Sequence, residues 1–110
     1  MPFAGLILDA PICSAQTLVE TGAFVDFPAS FFADAELDNC RIIAELDPDF
    51  PILLMHGAED SFVLPVHAER LRDAAAGEPE FHMVSGADHV EVAVVARGDY
   101  ETWVREFAGF

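Results

Sequence analysis

The sequence predicts an α/β fold, a three-layer arrangement of helices on both faces of about three parallel strands. Three observations carry that expectation. Short apolar runs alternate with stretches of helical periodicity, in the order strand, helix, strand, helix, strand, helix. The run Ile52-Leu53-Leu54-Met55 is apolar throughout and too short for a typical helix, which suits a strand buried on both faces. No repeat, low-complexity tract or linker divides the 110 residues, so they read as one unit.

Taken in order, Gly5 to Leu8 reads as the first buried strand, stopped by Asp9-Ala10-Pro11. Ser14 to Glu20 is assigned a short helix. Thr21 to Phe32 is irregular and carries Phe24, Phe27, Phe31 and Phe32. These rings either line a pocket or form a satellite core, the latter being the commoner arrangement. Ala33 to Leu46 reads as a helix with Leu37, Cys40, Ile43 and Leu46 along one face and acidic residues at its start. Asp47-Pro48-Asp49 stops it. Pro51 opens the central strand, where a missing N–H costs least. Gly57 is read as the turn that follows. Pro65 then starts a helix to about Ala76, with Val66, Leu71 and Ala74 inward and Gly77 as its cap. Glu80 to Val84 is the third strand, and Ser85-Gly86 a turn. Val90 to Ala96 has room for a helical turn or two. Asp99 caps a last helix from Tyr100 to Phe107 or beyond, which buries Trp103, Val104 and Phe107.

Composition excludes several classes of function. Twenty acidic residues stand against five basic ones, all Arg, for a formal net charge of −15. A nucleic-acid backbone is repelled by such a chain, and so is an anionic membrane surface. Hydrophobic residues make up 53%, enough for a packed core. No apolar run approaches the ~20 residues of a membrane span. Cys13 and Cys40 have no Cys-x-x-Cys spacing and are expected as free apolar thiols. His56, His67, His82 and His89 show no metal-ligand spacing, so no metal is assigned. Met1 leads straight into an apolar run with no basic segment before it, which is unlike a signal peptide and implies a cytoplasmic location. A buried strand so near Met1 also reads as a chain that starts inside a domain.

Two loops hold the chemistry. His56-Gly57-Ala58-Glu59-Asp60 follows the central strand, and Ser85-Gly86-Ala87-Asp88-His89 follows the third. In open α/β sheets, ligands bind at the carboxyl edge of the strands. An acid in the first loop and a histidine in the second are the layout that a nucleophile's acid–base partners need. Asp60 and His89 are the candidate catalytic residues. The strands ending at Met55 and Val84 are expected to be parallel neighbours, so that Asp60 and His89 meet through Nδ1.

These residues resemble the carboxyl-terminal part of the α/β-hydrolase family, over nearly the whole chain. Gly5 to Pro11 is similar to the strand that follows the family's nucleophile helix. Pro51 to Pro65 is similar to the strand and loop that carry the catalytic acid, at Asp60. Gly86-Ala87-Asp88-His89 is similar to the loop that carries the catalytic histidine. The resemblance implies a partial α/β-hydrolase fold, with residues 1–110 as its carboxyl-terminal portion. It also implies the acid–histidine half of a serine hydrolase, a small-molecule ester or amide as substrate of the parent protein, and no cofactor. One element departs from the family. Its nucleophile lies in Gly-x-Ser-x-Gly, and none of Ser14, Ser30, Ser61 and Ser85 has that setting. The chain is therefore expected to be inactive alone.

Plainer roles stand beside these. His89 without a partner is a surface loop histidine, and Asp60 a loop or helix cap. Glu59 reads as exposed and Asp88 as solvated or turn-forming. His56 reads as a satisfied packing histidine, His67 and His82 as ordinary helix and strand residues. Two other functions remain. A non-catalytic interaction module, or degenerate remnant, would self-associate through an exposed sheet edge. A phosphoacceptor reading of Asp9 needs a lysine near the phosphoryl group, and the chain has none.

Overall fold

The computed structural model describes residues 5–14 and 38–109. The helix expected after Ser14, the Phe-rich stretch and the start of the helix expected from Ala33 lie outside the described residues. Strand β1 (Leu6–Asp9) is followed by helix α1 (Asn39–Ala44), strand β2 (Ile52–Gly57), helix α2 (Val66–Ala74), strand β3 (Glu80–Val84) and helices α3 (Val92–Ala96) and α4 (Gly98–Ala108). The three strands form one parallel sheet in the order β1-β2-β3. Among the described residues no helix is long and apolar enough to cross a membrane.

Strand β2 lies at the centre because it has no polar face. Leu53, Leu54 and Met55 are wholly buried. Each contributes roughly 1.5–3 kcal/mol relative to exposure. Alternation along the strand sends these side chains to two cores. Ile52 and Leu54 pack with Ile43 of α1 and Leu71 of α2 on one face. Leu53 and Met55 pack with Val84, Ala87 and Val92 on the other, where Trp103, Val104 and Phe107 of α4 cover them. The result is the expected three layers. The α4 rings are only half-buried, less than the sequence implies.

Several boundaries differ from expectation, each for a local reason. Helix α1 starts at Asn39, since the Asp38 carboxylate accepts the Arg41 N–H at 3.0 Å as its cap. Helix α2 ends at Ala74, and its cap is Ala75 in extended conformation, so Gly77 is not a helix cap. A Cβ on Gly77 would instead lie 2.1 Å from the Pro48 carbonyl oxygen.

The cysteines are a correction. Cys13 and Cys40 form a disulfide rather than two free thiols. The Cys40 N–H donates to the Cys13 carbonyl at 2.9 Å, and the two Cα atoms lie 4.9 Å apart. That is within bridging distance, and a separation of 27 residues gave no hint of it. On loop-closure entropy such a bond stabilises by ~3.5 kcal/mol.

Gly57 is the second correction. It is the last residue of β2 and buried, with no left-handed backbone. Its role is to admit another chain segment. A Cβ there would sit 2.3 Å from the Ala87 carbonyl oxygen and 3.0 Å from that of Asp88. Gly86 is the residue that turns, at φ +81°. Gly57→Ala is therefore expected to destabilise the fold by ~1–3 kcal/mol, because backbone must move to admit the methyl group. Urea unfolding of the two proteins measures this, and equal midpoints would show that the approach is not tight.

Candidate active site

Two loops are laced together at the carboxyl edge of β2 and β3. The Ala58 N–H donates to the Val84 carbonyl at 2.8 Å, and the Glu59 N–H to the Ala87 carbonyl at 2.9 Å. Farther out, the Ser61 N–H donates to the Asp88 carboxylate at 2.9 Å. Parallel pairing of the strands delivers both loops to one edge, and this lacing fixes their distance.

Asp60 and His89 meet there. A carboxylate oxygen of Asp60, Oδ2, accepts from the His89 Nδ1–H at 2.9 Å. The carboxylate is fully buried, whereas a third of the His89 side chain is exposed. The other oxygen, Oδ1, accepts the backbone N–H groups of Phe62 at 3.0 Å and Val63 at 2.8 Å. The loop thus folds around its own acid, an Asx turn extended by one residue. Donating from Nδ1 leaves a neutral imidazole with its lone pair on Nε2. The Phe62 ring stands 5.3 Å from the His89 ring, centroid to centroid.

The neighbouring carboxylates do other work. Glu59 is exposed. Asp88 makes the turn, accepting the His89 backbone N–H at 2.7 Å as well as the Ser61 amide, with the Ser61 hydroxyl at 3.2 Å. The Ser61 amide, then that of His89, hold its carboxyl below the usual carboxylate range. Its own N–H donates to Glu91 at 2.8 Å. Val90 then takes a left-handed conformation at φ +60°, uncommon for a β-branched residue and a sign of local strain.

Two histidines differ in part from expectation. His56 is buried, as expected of a packing histidine, but its Nδ1 has no hydrogen-bond partner among the described residues. It is buried beneath Asp60, with Nε2 2.7 Å from the Val63 carbonyl oxygen and 3.4 Å from Asp60 Oδ2. His67 is not an ordinary helix residue. It is wholly buried, and its Nδ1 accepts the Cys13 N–H at 3.0 Å. The histidine-to-aspartate spacing of four residues carried a signal for His56; nothing local marked His67. His82 stays on β3, stacked on Trp103 at 3.8 Å and bonded to Glu80 at 2.7 Å, away from the site. Asp9 accepts the Tyr100 hydroxyl at 3.2 Å.

Among the described residues no group of three His, Cys, Asp or Glu side chains is placed to hold a metal ion. An apolar cavity of about 230 Å³ opens between β1, α1 and α2, lined by Leu6, Leu8, Ile43 and Leu71 among others. Neither Asp60 nor His89 lines it.

Solved structures share this fold in part. The chain is similar to MGS-MChE2, an α/β-hydrolase enzyme from the metagenome of sediments from the lagoon of Mar Chica, Morocco. That match has a TM-score of 0.63 and 11% identity, over 96% of this chain and 50% of the other. It is similar to the esterase domain of a Rhodothermus marinus protein, at a TM-score of 0.61 and 19% identity, over 99% of this chain and 49% of the other. It is also similar to a hydrolase from Pseudomonas aeruginosa PA01, at a TM-score of 0.53 and 26% identity, over 74% of this chain and 29% of the other. No protein-family model matches the sequence, and no curated protein does. The fold is that of the α/β hydrolases, in part. The chain spans half or less of the length of the solved proteins it matches.

Burial of His67 predicts a sensitivity to acid. Desolvation, then the neighbouring His56 and Arg70, lower its pKa from 6.5 to about 4. The unfolded chain therefore binds a proton that the folded chain refuses. The neutral form's advantage is complete above pH ~6.5 and is lost as pH falls toward 4, at a cost of ~3 kcal/mol. Unfolding free energy measured between pH 7 and 4 should fall accordingly, and His67→Gln should flatten that slope. An unchanged slope in the variant would assign the acid sensitivity elsewhere.

Proposed function

We propose that the chain is the acid–histidine half of a serine hydrolase acting on ester, amide or related acyl bonds. In this reading residues 1–110 are the carboxyl-terminal portion of the domain. The observation that carries it is the 2.9 Å bond from His89 Nδ1 to the buried Asp60 carboxylate. The partial α/β-hydrolase fold, shared with an esterase domain, supports it.

The chemistry follows from the tautomer. With Nδ1–H donated to Asp60, Nε2 accepts a proton from a serine hydroxyl as its oxygen attacks the acyl carbon. The imidazolium that forms is stabilised by the Asp60 carboxylate and returns the proton to the leaving group. Water then attacks the acyl-enzyme with the same ring as base. The sequence contains no Gly-x-Ser-x-Gly, so in this reading the hydroxyl and the oxyanion-binding amides come from outside these residues. A small-molecule ester or amide is the partner this chemistry requires, and no cofactor takes part.

Two measurements test the reading. The 110-residue chain should neither turn over p-nitrophenyl acetate in a serine-dependent way nor take a fluorophosphonate label. Steady turnover abolished by labelling of one of its serines would overturn the half-site. Nitrogen NMR should find His89 as the Nδ1–H tautomer, with a slowly exchanging ring proton that Asp60→Ala removes. An Nε2–H tautomer in the unaltered chain would end the acid–histidine assignment.

A second reading rests on β1. It is one edge of the described sheet, and Ile7 on it is 40% exposed. Open edges pair with other strands. A second copy of the chain is the expected occupant, and the isolated chain should be a marginal monomer that dimerises. Ile7→Lys should reduce the association seen by light scattering. A monodisperse monomer with a cooperative melt above ~60 °C would rule this out.

A further inference from the structure

His56 is the buried polar group at the site that the mechanism above leaves unused. Its side chain is wholly buried at the end of β2, directly below the acid. A carbonyl oxygen only accepts, so the 2.7 Å contact with Val63 places the ring proton on Nε2. Nδ1 is then a lone pair with no hydrogen-bond partner among the described residues. A group kept buried with one nitrogen unmatched has given up its water without regaining a hydrogen bond, which costs stability. An apolar residue would avoid that cost, so packing alone does not account for a histidine here.

The contacts of His56 run to the acid by two routes. The first is a closed circuit through the loop. His56 Nε2–H holds the Val63 carbonyl, and the Val63 N–H holds Asp60 Oδ1 at 2.8 Å. Rotation of the carboxylate therefore strains a peptide that is anchored to β2. The second route is direct. Nε2 lies 3.4 Å from Oδ2, the oxygen that accepts from His89, and its N–H dipole favours negative charge there.

We propose that His56, neutral and protonated at Nε2, is a positioning residue that fixes the Asp60 carboxylate for its bond to His89. The assignment deepens the acid–histidine reading and rests on it. His56 touches neither His89 Nε2 nor any reacting atom, so it acts only through Asp60. Two backbone N–H groups and two imidazoles converge on a single carboxylate without any Arg.

Nitrogen-15 NMR of the full chain tests this without relying on turnover. In the unaltered chain His56 should be the Nε2–H tautomer, and the Nδ1–H tautomer would overturn the proposal. His56→Phe keeps the ring's bulk and removes the donor. Its His89 Nδ1–H should exchange with solvent about tenfold faster, the factor that corresponds to one lost hydrogen bond. His56→Gln returns an N–H donor and should restore slow exchange. A folded His56→Phe chain with unchanged His89 exchange would overturn the proposal, as would a folded His56→Gln chain that fails to restore it. If the Phe variant does not fold, the His56 tautomer and the Gln variant still decide. Failure of the acid–histidine reading looks different, since His89 would then lack its Nδ1–H bond in the unaltered chain.

Discussion

The absence of one methyl group at Gly57 sets the geometry of the carboxyl edge. Backbone from the third strand's loop passes where that group would be, so the Ala87 carbonyl reaches the Glu59 N–H. Moving the two loops apart would break this bond and the one from Ser61 to Asp88 together. The acid and the histidine sit at the far ends of these laced segments. Their distance is thus inherited from a backbone contact rather than from either side chain. This is economical for a small sheet, since β2 and β3 fix one end of each loop and the lacing fixes the other.

Beneath that edge the core changes character. One face of β2 buries aliphatic side chains from Ile52 and Leu54, then His56, in the same alternating register. His67 of α2 is buried on this side too and ties to the segment after β1 through Cys13, which the disulfide in turn ties to α1. Buried imidazoles hold position only while neutral, because a charge there is poorly solvated. The lowered pKa of His67 expresses that constraint. Acid therefore acts on the packing of α2 against the segment after β1, where His67 holds the Cys13 amide.

The part of the fold that follows from periodicity was legible in the sequence. The start of β2, the bounds of β3 and the inward faces of the helices come from apolar runs and helical periodicity, and the loops after β2 and β3 from turn residues adjacent in the chain. What escaped depends on contacts between distant segments. Gly57 looked like a turn because a glycine after a strand usually is one; its neighbour Ala87 is 30 residues on. The Cys13–Cys40 pairing and the His67–Cys13 bond likewise join segments that no local pattern relates. His56 was the closest miss. Four residues separate it from Asp60, but a loop leaves that spacing without a fixed meaning until Val63 is seen to fold back.

The unequal exposure of the pair agrees with the roles proposed for it. Asp60 is fully buried, while a third of the His89 side chain is open. A carboxylate that only orients and stabilises an imidazolium gains from burial, since its field is less screened there. It needs local donors in place of water, and the Phe62 and Val63 amides supply them. A base that passes a proton between hydroxyl, leaving group and water must keep one face accessible. Burying both would leave the imidazolium without a route for its proton; exposing both would let water compete for the carboxylate. The observed division suits proton transfer. A histidine kept only for packing would have no need of a desolvated acid, itself held by two backbone amides, at its back.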